Sequence, residues 1–442
     1  MEIRVSRLSS AQQSLKEQQV RETRRPPLRP GTVSGHAHPP RLVPDRVLVL
    51  DGYSNAALAC VRSLGRAGYT VFVASHRRWP LAAWSRYCAG SCWHAEETLQ
   101  GFAAARAWAH AHGVRIVLPL TELACQLCNV ERAEWEALGM VVGCAPEPLA
   151  LRAFDKAQTL RLAEACGVEI PPTRYPTTLE ECRSAADAVG YPCIVKPRFT
   201  AAWNGTGLIP DPGLCYVASA AELDQAVLTR RQGRHWPVIQ RFVAGQGKGV
   251  FTVCDLGRPV AWFAHERLRD IRPSGSGSSL RRSVAVEPRL RSRAEQLLEA
   301  MRWHGPAMVE FRDDGVNPPW LMEVNGRFWG SLQLSIDAGC DFPRLWVDLL
   351  AGKPVAPPQE YRAGVTVRWL WGDVKRFLYI VAGPPRGYPG AYPSVARGLQ
   401  ELFGRQPAGT RLEVWDRGDK WPAVAEWVEG VRDVLIQAFK PR

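Results

Sequence analysis

The chain has 442 residues, 46% hydrophobic and 22% charged, with a formal net charge of +13. This balance predicts a globular protein of several domains and excludes collagen-like, coiled-coil and wholly disordered classes. No stretch is apolar for roughly 18 residues and no signal-peptide core is present, so we expect a cytoplasmic protein with no membrane partner. The excess charge lies at the two ends, +5 in residues 1–42 and +5 in residues 361–442, without a dense basic block. Nucleic acid is therefore only weakly supported as a partner.

The first 150 residues divide into an arm and an α/β domain. Residues 1–42, rich in Gln, Arg, Ser and Pro, predict a disordered basic arm. Residues 43–150 predict a Rossmann-like domain, because helical segments alternate with buried strands at 47–50, 70–74, 114–118 and 140–142. The turn after the first strand has one glycine, Gly52, in place of the three of a dinucleotide fingerprint. An NAD-dependent oxidoreductase is therefore a weak alternative.

Helices and strands continue to alternate through residues 151–352. We expect a helix beginning at Phe154-Asp-Lys156, a strand at 193–196, a hairpin over 250–255 and 259–266, and a strand pair at 307–312 and 320–324. Residues 273–279, rich in Gly and Ser, predict a mobile loop. Residues 353–442 form a Trp-rich C-terminal extension that ends in an amphipathic helix. Core packing is the expected role of its tryptophans.

Two lysines indicate phosphate binding. Lys156 lies at a helix start, and Lys196 ends a hydrophobic strand beside a loop that contains Gly205 and Gly207. A lysine supplies a compact positive charge, and backbone N–H groups of a glycine-containing loop can cradle phosphates. A single solvated lysine would mean little, but the buried strand before Lys196 favours a functional role.

Oxygen ligands converge on the last strand pair. Glu323 and Asn325 lie two residues apart on one strand face, and Glu310 can face them from the neighbouring strand. Two carboxylates and an amide oxygen form a hard site suited to Mg²⁺ that bridges nucleotide phosphates. The alternative to a metal site is a pair of solvated carboxylates on an exposed strand face. The apolar residues next to both glutamates in the sequence argue against it. Arg327, Arg267 and Arg269 could bind a carboxylate or a phosphate.

Taken in order, five blocks resemble the ATP-grasp superfamily, in particular its carboxylate–amine ligase and carbamoyl-phosphate-synthase-like branch. The blocks are FDK, YPCIVKP, VIQRFVAG, VEF and LMEVNGRFWG, within about residues 45–352. The resemblance implies an α/β and α+β architecture, with the Rossmann-like domain (43–150) followed by a two-subdomain ATP-grasp fold (151–352) and the C-terminal extension (353–442). The smaller subdomain, at about 168–243, would act as a lid over ATP.

The resemblance also implies roles for individual residues. Lys156, Lys196 and the Gly205/Gly207 loop would hold phosphates, and the segment Gln240, Arg241, Phe242 and Val243 would meet adenine. Glu310, Glu323 and Asn325 would hold Mg²⁺ or Mn²⁺. Arg327 would face the transferred phosphoryl group or the substrate carboxylate. His265, Arg267 and Arg269 resemble a substrate-side stretch of this branch.

The function that follows is an ATP-dependent ligase. It would phosphorylate a small carboxylate, an amino acid in our interpretation, to an acyl phosphate and join it to an amine, releasing ADP and phosphate. The alternative is a non-catalytic ATP-binding sensor or scaffold. The expected partners are small-molecule carboxylate and amine substrates, and a homo-oligomer stays open. Twelve cysteines without a secretory signal indicate reduced thiols, with zinc binding as a minor alternative.

Overall fold

The computed structural model describes residues 46–95, 97–203, 207–356 and 360–438. The arm predicted at residues 1–42 lies outside these ranges. Within them, no helix is long and apolar enough to cross a membrane.

An open parallel sheet of five strands, in the order β3-β2-β1-β4-β5, forms the first layer. Its strands are β1 Arg46–Val49, β2 Thr70–Ser75, β3 Cys88–Trp93, β4 Ile116–Leu118 and β5 Val141–Val142. Its helices are α1 Asn55–Arg66, a 3₁₀ helix Leu81–Trp84, α2 Leu99–Ala111, α3 Glu122–Val130, α4 Arg132–Ala137 and α5 Glu147–Phe154. The four predicted strands are confirmed. The edge strand β3 was not predicted, because its small, half-exposed residues give no apolar run.

A second, smaller sheet is antiparallel, in the order β10-β7-β11-β6, and has a core of its own under two helices. Its strands are β6 Thr173–Arg174, β7 Cys193–Lys196, β10 Cys215–Val217 and β11 Val238–Arg241. The hairpin β8 Ala201–Trp203 and β9 Leu208–Pro210 lies between β7 and β10 in the chain. Helix α6 Lys156–Ala165 precedes the sheet, and α7 Leu179–Val189 and α8 Ala220–Arg230 cover it. This sheet is the candidate lid.

The third sheet has seven strands in the order β16-β15-β12-β13-β14-β17-β18. Its strands are β12 Gln246–Asp255, β13 Arg258–Arg272, β14 Ser276–Val284, β15 Gly305–Asp313, β16 Trp320–Asn325, β17 Thr366–Arg368 and β18 Arg411–Leu412. Helices α9 Pro288–Met301, α10 Leu332–Ala338 and α11 Phe342–Leu350 accompany it. The mobile loop predicted at 273–279 was wrong in its second half. Ser276 begins β14, where Ser278 pairs with Asp270 and Ser279 is fully buried.

The C-terminal region is not separate from this sheet. β17 pairs with β14, β18 pairs with β17, and three helices follow or intervene: α12 Leu370–Ala382, α13 Val395–Phe403 and α14 Trp421–Ala438. The expectation that the tryptophans pack in a core holds for Trp371 and is wrong for others. Trp421, Trp415 and Trp427 are 64%, 48% and 42% exposed. The exact domain boundaries stay predictions.

Candidate active site

A cavity of about 510 Å³ lies between the candidate lid and the seven-stranded sheet. Its wall includes nine of the residues singled out from the sequence. These are Lys156, Lys196, Phe242, Val243, Arg267, Glu310, Glu323, Asn325 and Arg327. They come from α6, β7, the segment after β11, strands β13, β15 and β16, and the segment after β16, so the fold brings together side chains that lie up to 171 positions apart in the chain.

The two carboxylates face each other across neighbouring strands. Glu310 on β15 is the register partner of Glu323 on β16. Between them, Asn325 donates Nδ2–H to Glu310 Oε1 and to Glu323 Oε1, both at 3.2 Å. Arg327 Nη2 donates to Oδ1 of the Asn325 side chain at 2.8 Å. The three side chains therefore lie together as predicted, but the amide turns its nitrogen rather than its oxygen toward the carboxylates.

The protonation of the two carboxylates is set by opposite influences. Burial raises the pKa of Glu310, and the nearby charge of Glu323 adds to this, while Arg267 opposes both. Burial also raises the pKa of Glu323, but the positive charges of Lys156 and Lys196 and the hydrogen bond from Asn325 outweigh it, so the pKa falls. Glu323 is therefore the carboxylate held most firmly in its charged form.

Lys196 ends the buried strand β7 and is only 9% exposed. Burial lowers the pKa of its ammonium group to about 8, although the charge of Glu323 opposes this. Its Nζ donates a hydrogen bond of 2.6 Å to Oε1 of Gln240, which is fully buried on the neighbouring strand β11. A buried ammonium group without a carboxylate at hydrogen-bond distance favours an anionic ligand.

Lys156 occupies the first turn of α6, where the helix cap is well defined. Asp155 accepts a hydrogen bond from the backbone of Ala157 at 3.0 Å, and both of its oxygens accept from Arg198 at 2.6 Å. The Lys156 N–H donates to the Arg198 carbonyl at 3.0 Å. The helix start and the segment after β7 are thus tied together, which fixes both lysine backbones around the cavity.

The arginines predicted as catalytic separate into two groups. Arg267 Nη2 donates to Glu310 Oε2 at 2.5 Å, and Arg327 lies beside Asn325, so both face the cavity. Arg269 does not line the cavity, because its Nη1 pairs with Asp373 at 2.7 Å. The ladder between β13 and β14 shifts register on both sides of Arg269, which breaks the alternation that would put it on the face of Arg267.

Several other predicted residues also lie away from the cavity wall. Gln240 does not line the cavity but accepts a hydrogen bond from Lys196, which does. Arg241 donates to the backbone of Val189 at 2.9 Å. Gly207 is not among the lining residues, and Gly205 lies outside the described residues. His265 is buried against Ser331, with a distance of 2.9 Å between Nε2 and Oγ. Burial and the charges of neighbouring arginines hold the pKa of His265 well below its ordinary value, so it is neutral.

Sequence reasoning missed part of the wall. Arg312 lines it, as do Tyr379 and Tyr392 of the C-terminal region. Glu122, the first residue of α3, lies close enough to Lys156 and Arg327 for their charges to lower its pKa, although burial raises the pKa overall. The tyrosines carried no local signal, while Glu122 lies four residues after the end of the predicted strand at 114–118 and could have been found there.

Comparison with known proteins agrees with this geometry. A profile of the family described as "ATP-grasp in the biosynthetic pathway with Ter operon" matches residues 252–372. A solved ADP complex of N5-carboxyaminoimidazole ribonucleotide synthetase superposes with a TM-score of 0.58 at 13% identity, covering 89% of this chain and 97% of that one. The chain has the ATP-grasp fold. The predicted fold class and the resemblance to this superfamily are confirmed.

Two curated relatives match parts of the chain. The D-alanine–D-alanine ligase of Ectopseudomonas mendocina is 26% identical over 209 residues, which is 45% of this chain and 65% of the relative. The arginine-specific large chain of carbamoyl phosphate synthase from Oryza sativa subsp. japonica is 34% identical over 114 residues, 24% of this chain and 10% of the relative. The chain thus spans less than two thirds of either relative.

The donor set of the cavity fits a hard divalent cation. Glu310 and Glu323 offer carboxylate oxygens, whereas Asn325 turns its Nδ2–H₂ toward both of them and its Oδ1 accepts from Arg327 Nη2. To bind the ion, Asn325 would have to present Oδ1 instead. Among the described residues, no group of three or more His, Cys, Asp and Glu side chains could hold a metal ion. All twelve cysteines are free thiols.

Proposed function

We propose that the chain is an ATP-dependent carboxylate–amine ligase that uses a small carboxylate, an amino acid by preference. The observation that carries the proposal is the excess of unpaired positive charge in one cavity. Lys156, Lys196, Arg272, Arg312 and Arg327 have no ion-pair partner in the described part of the chain. A polyanion such as ATP supplies the missing negative charge.

The binding roles follow from position. Lys196, buried beside the lid strand β11, and Lys156, at the start of α6, would bind phosphate oxygens, and Phe242 and Val243 line the cavity after β11. Glu310, Glu323 and Asn325 would hold Mg²⁺, which when bound neutralises charge on the transferred phosphoryl group.

The remaining residues act on the carboxylate. Arg327 and Arg267 would orient it, so that its oxygen attacks the γ-phosphorus, the bond to the ADP oxygen breaks and an acyl phosphate forms. An amine then attacks the acyl carbon, loses a proton and displaces phosphate. Guanidinium groups suit both charged oxygens because they donate two parallel hydrogen bonds. A closed lid excludes water, which would otherwise hydrolyse the acyl phosphate.

The test is analysis of nucleotide products with Mg·ATP and pools of amino acids. We expect ADP and phosphate that depend on the pool and disappear in Glu323→Ala. Glu136→Ala, which removes an exposed glutamate that does not line the cavity, serves as the matched control. AMP and pyrophosphate would contradict the acyl-phosphate route. Tight ATP binding without turnover on any pool would favour the sensor or scaffold alternative.

A further inference from the structure

The loop between α12 and α13, residues 383–394, reaches from the C-terminal region to the candidate lid. Gly383, Pro385 and Tyr392 of this loop line the cavity, together with Tyr379 from the end of α12. Tyr392 Oη donates to the Tyr379 carbonyl oxygen at 2.9 Å, which ties the loop back to its helix. The cavity is thus closed on one side by a segment far along the chain from the lysines and carboxylates.

Tyr388 contacts the lid from this loop. Its ring centroid lies 5.0 Å from that of Tyr216 on β10 and 6.2 Å from that of Phe242 after β11, at interplanar angles of 68° and 88°. Tyr216 and Phe242 also contact each other, edge to face, at 6.1 Å. Both line the cavity, so Tyr388 supports the two aromatic rings of the lid from behind.

A glycine allows the loop backbone to approach the lid this closely. Gly387 has φ +72°, and a Cβ at this position would lie 2.8 Å from the backbone oxygen of Tyr216. A side chain would therefore meet a backbone atom that cannot move away easily, in a conformation that disfavours any other residue. The exposed ion pair between Arg386 and Glu222 of α8 spans the same gap at 2.9 Å and adds little.

We propose that loop 383–394, with Tyr379, forms the wall of the nucleotide site at the end that receives the base, and holds the lid against it. The inference rests on the proposed function. Charged groups of the phosphate end, Lys156, Glu310 and Glu323, belong to other elements. The loop offers the rings and prolines of its own residues, while the Arg272 guanidinium lies over the Tyr379 ring, 5.5 Å from its centroid. Such a surface suits a flat heteroaromatic ring rather than phosphate oxygens.

The experiment compares three probes on the full chain by titration calorimetry: ATP, ADP and inorganic tripolyphosphate. We expect Tyr388→Ala and Gly387→Ala to weaken the affinity for ATP and ADP by about five- to tenfold. The affinity for tripolyphosphate should fall by less than twofold, because tripolyphosphate has no base that could contact the loop. Tyr388→Phe keeps the ring and should recover most of the affinity. Phe403→Ala, which removes an 80% exposed ring on α13, is the matched control.

Two results would overturn the inference. Unchanged nucleotide affinity in both variants would mean that the loop is not part of the site, and equal loss of all three probes would mean that the loop only supports the fold. Lys196→Ala, measured in parallel, should weaken tripolyphosphate as well as ATP. If the native chain bound neither ATP nor tripolyphosphate, the proposed function would fall, and the inference with it. If the loop variants bound all probes like the native chain while Lys196→Ala bound them weakly, the proposed function would stand and the inference about the loop would be wrong.

Discussion

The burial of Lys196 predicts that nucleotide affinity depends on pH. In the free protein the pKa of this lysine is about 8, because burial disfavours its charged form. A shift of this size from the ordinary value of 10.5 means that the protein destabilises the charged ammonium group relative to the neutral amine by about 3 kcal/mol. A bound phosphate would reverse this lowering, because its negative charge stabilises the ammonium group. The pKa of Lys196 would therefore rise in the complex, and the protein would take up a proton when it binds the nucleotide at alkaline pH.

The direction and the size of the pH effect on affinity follow from the pKa of Lys196. Below pH 7 the free lysine is already charged, and affinity is independent of its titration. Above pH 8 each unit of pH weakens binding by up to tenfold, until the pKa of the complex is reached. Between pH 7.5 and 9.5 we expect the Kd for ADP to rise by roughly 20- to 30-fold.

The assay is calorimetric titration of ADP between pH 7.5 and 9.5 in two buffers with different ionisation enthalpies, which measures proton uptake directly. Lys196→Arg, whose guanidinium stays charged throughout, should give a flat profile. Lys353→Ala removes a lysine that is paired with Asp348 outside the cavity and should keep the native profile. A Kd that is constant up to pH 9.5 in the native chain would refute either the phosphate role of Lys196 or its lowered pKa.

Three shorter predictions test other parts of the site. Gln240→Leu removes the acceptor of the Lys196 ammonium group and should move the midpoint of the pH profile to lower pH, measured in the same titration; an unmoved midpoint would contradict the contact. Arg327→Lys loses the planar fork and should reduce turnover about a hundredfold with the ATP Kd within twofold; normal turnover would exclude the predicted role. Asp373→Ala leaves two arginines without their buried partner and should lower the free energy of unfolding by about 3 kcal/mol in denaturant titration, a loss that a merely exposed pair would not give.

The carboxylate cluster could be predicted from the sequence because it depends on local rules. Glu323 and Asn325 share a strand face by the period of two, and Glu310 comes from the adjacent strand of the same hairpin-like pair. Lys196 was recognisable for a similar reason, since it ends a continuous buried run. Where the chain obeys the regular geometry of strands, the pattern of side chains locates the site.

The errors occur where regular geometry fails or distant segments meet. Arg269 was grouped with Arg267 because their stretch resembles a substrate-side stretch of the superfamily, but the register shifts of β13 turn Arg269 toward Asp373. The wall formed by Tyr379 and Tyr392 depends on a contact between the C-terminal region and the lid, which no local pattern reports. Trp421 was expected in a core, whereas one face of α14 is left exposed.

The charge balance of the cavity connects these observations. Burying Lys196 without a carboxylate at hydrogen-bond distance destabilises the folded chain, and such a group is tolerated when a ligand recovers the loss. Arg267, by contrast, is neutralised by Glu310 before any ligand binds. If Mg²⁺ takes up the negative charge of Glu310, Arg267 becomes available to an anionic substrate only after the nucleotide site is loaded. This order predicts that the carboxylate substrate binds more tightly in the presence of Mg·ADP than alone, and equal affinity in both conditions would contradict it.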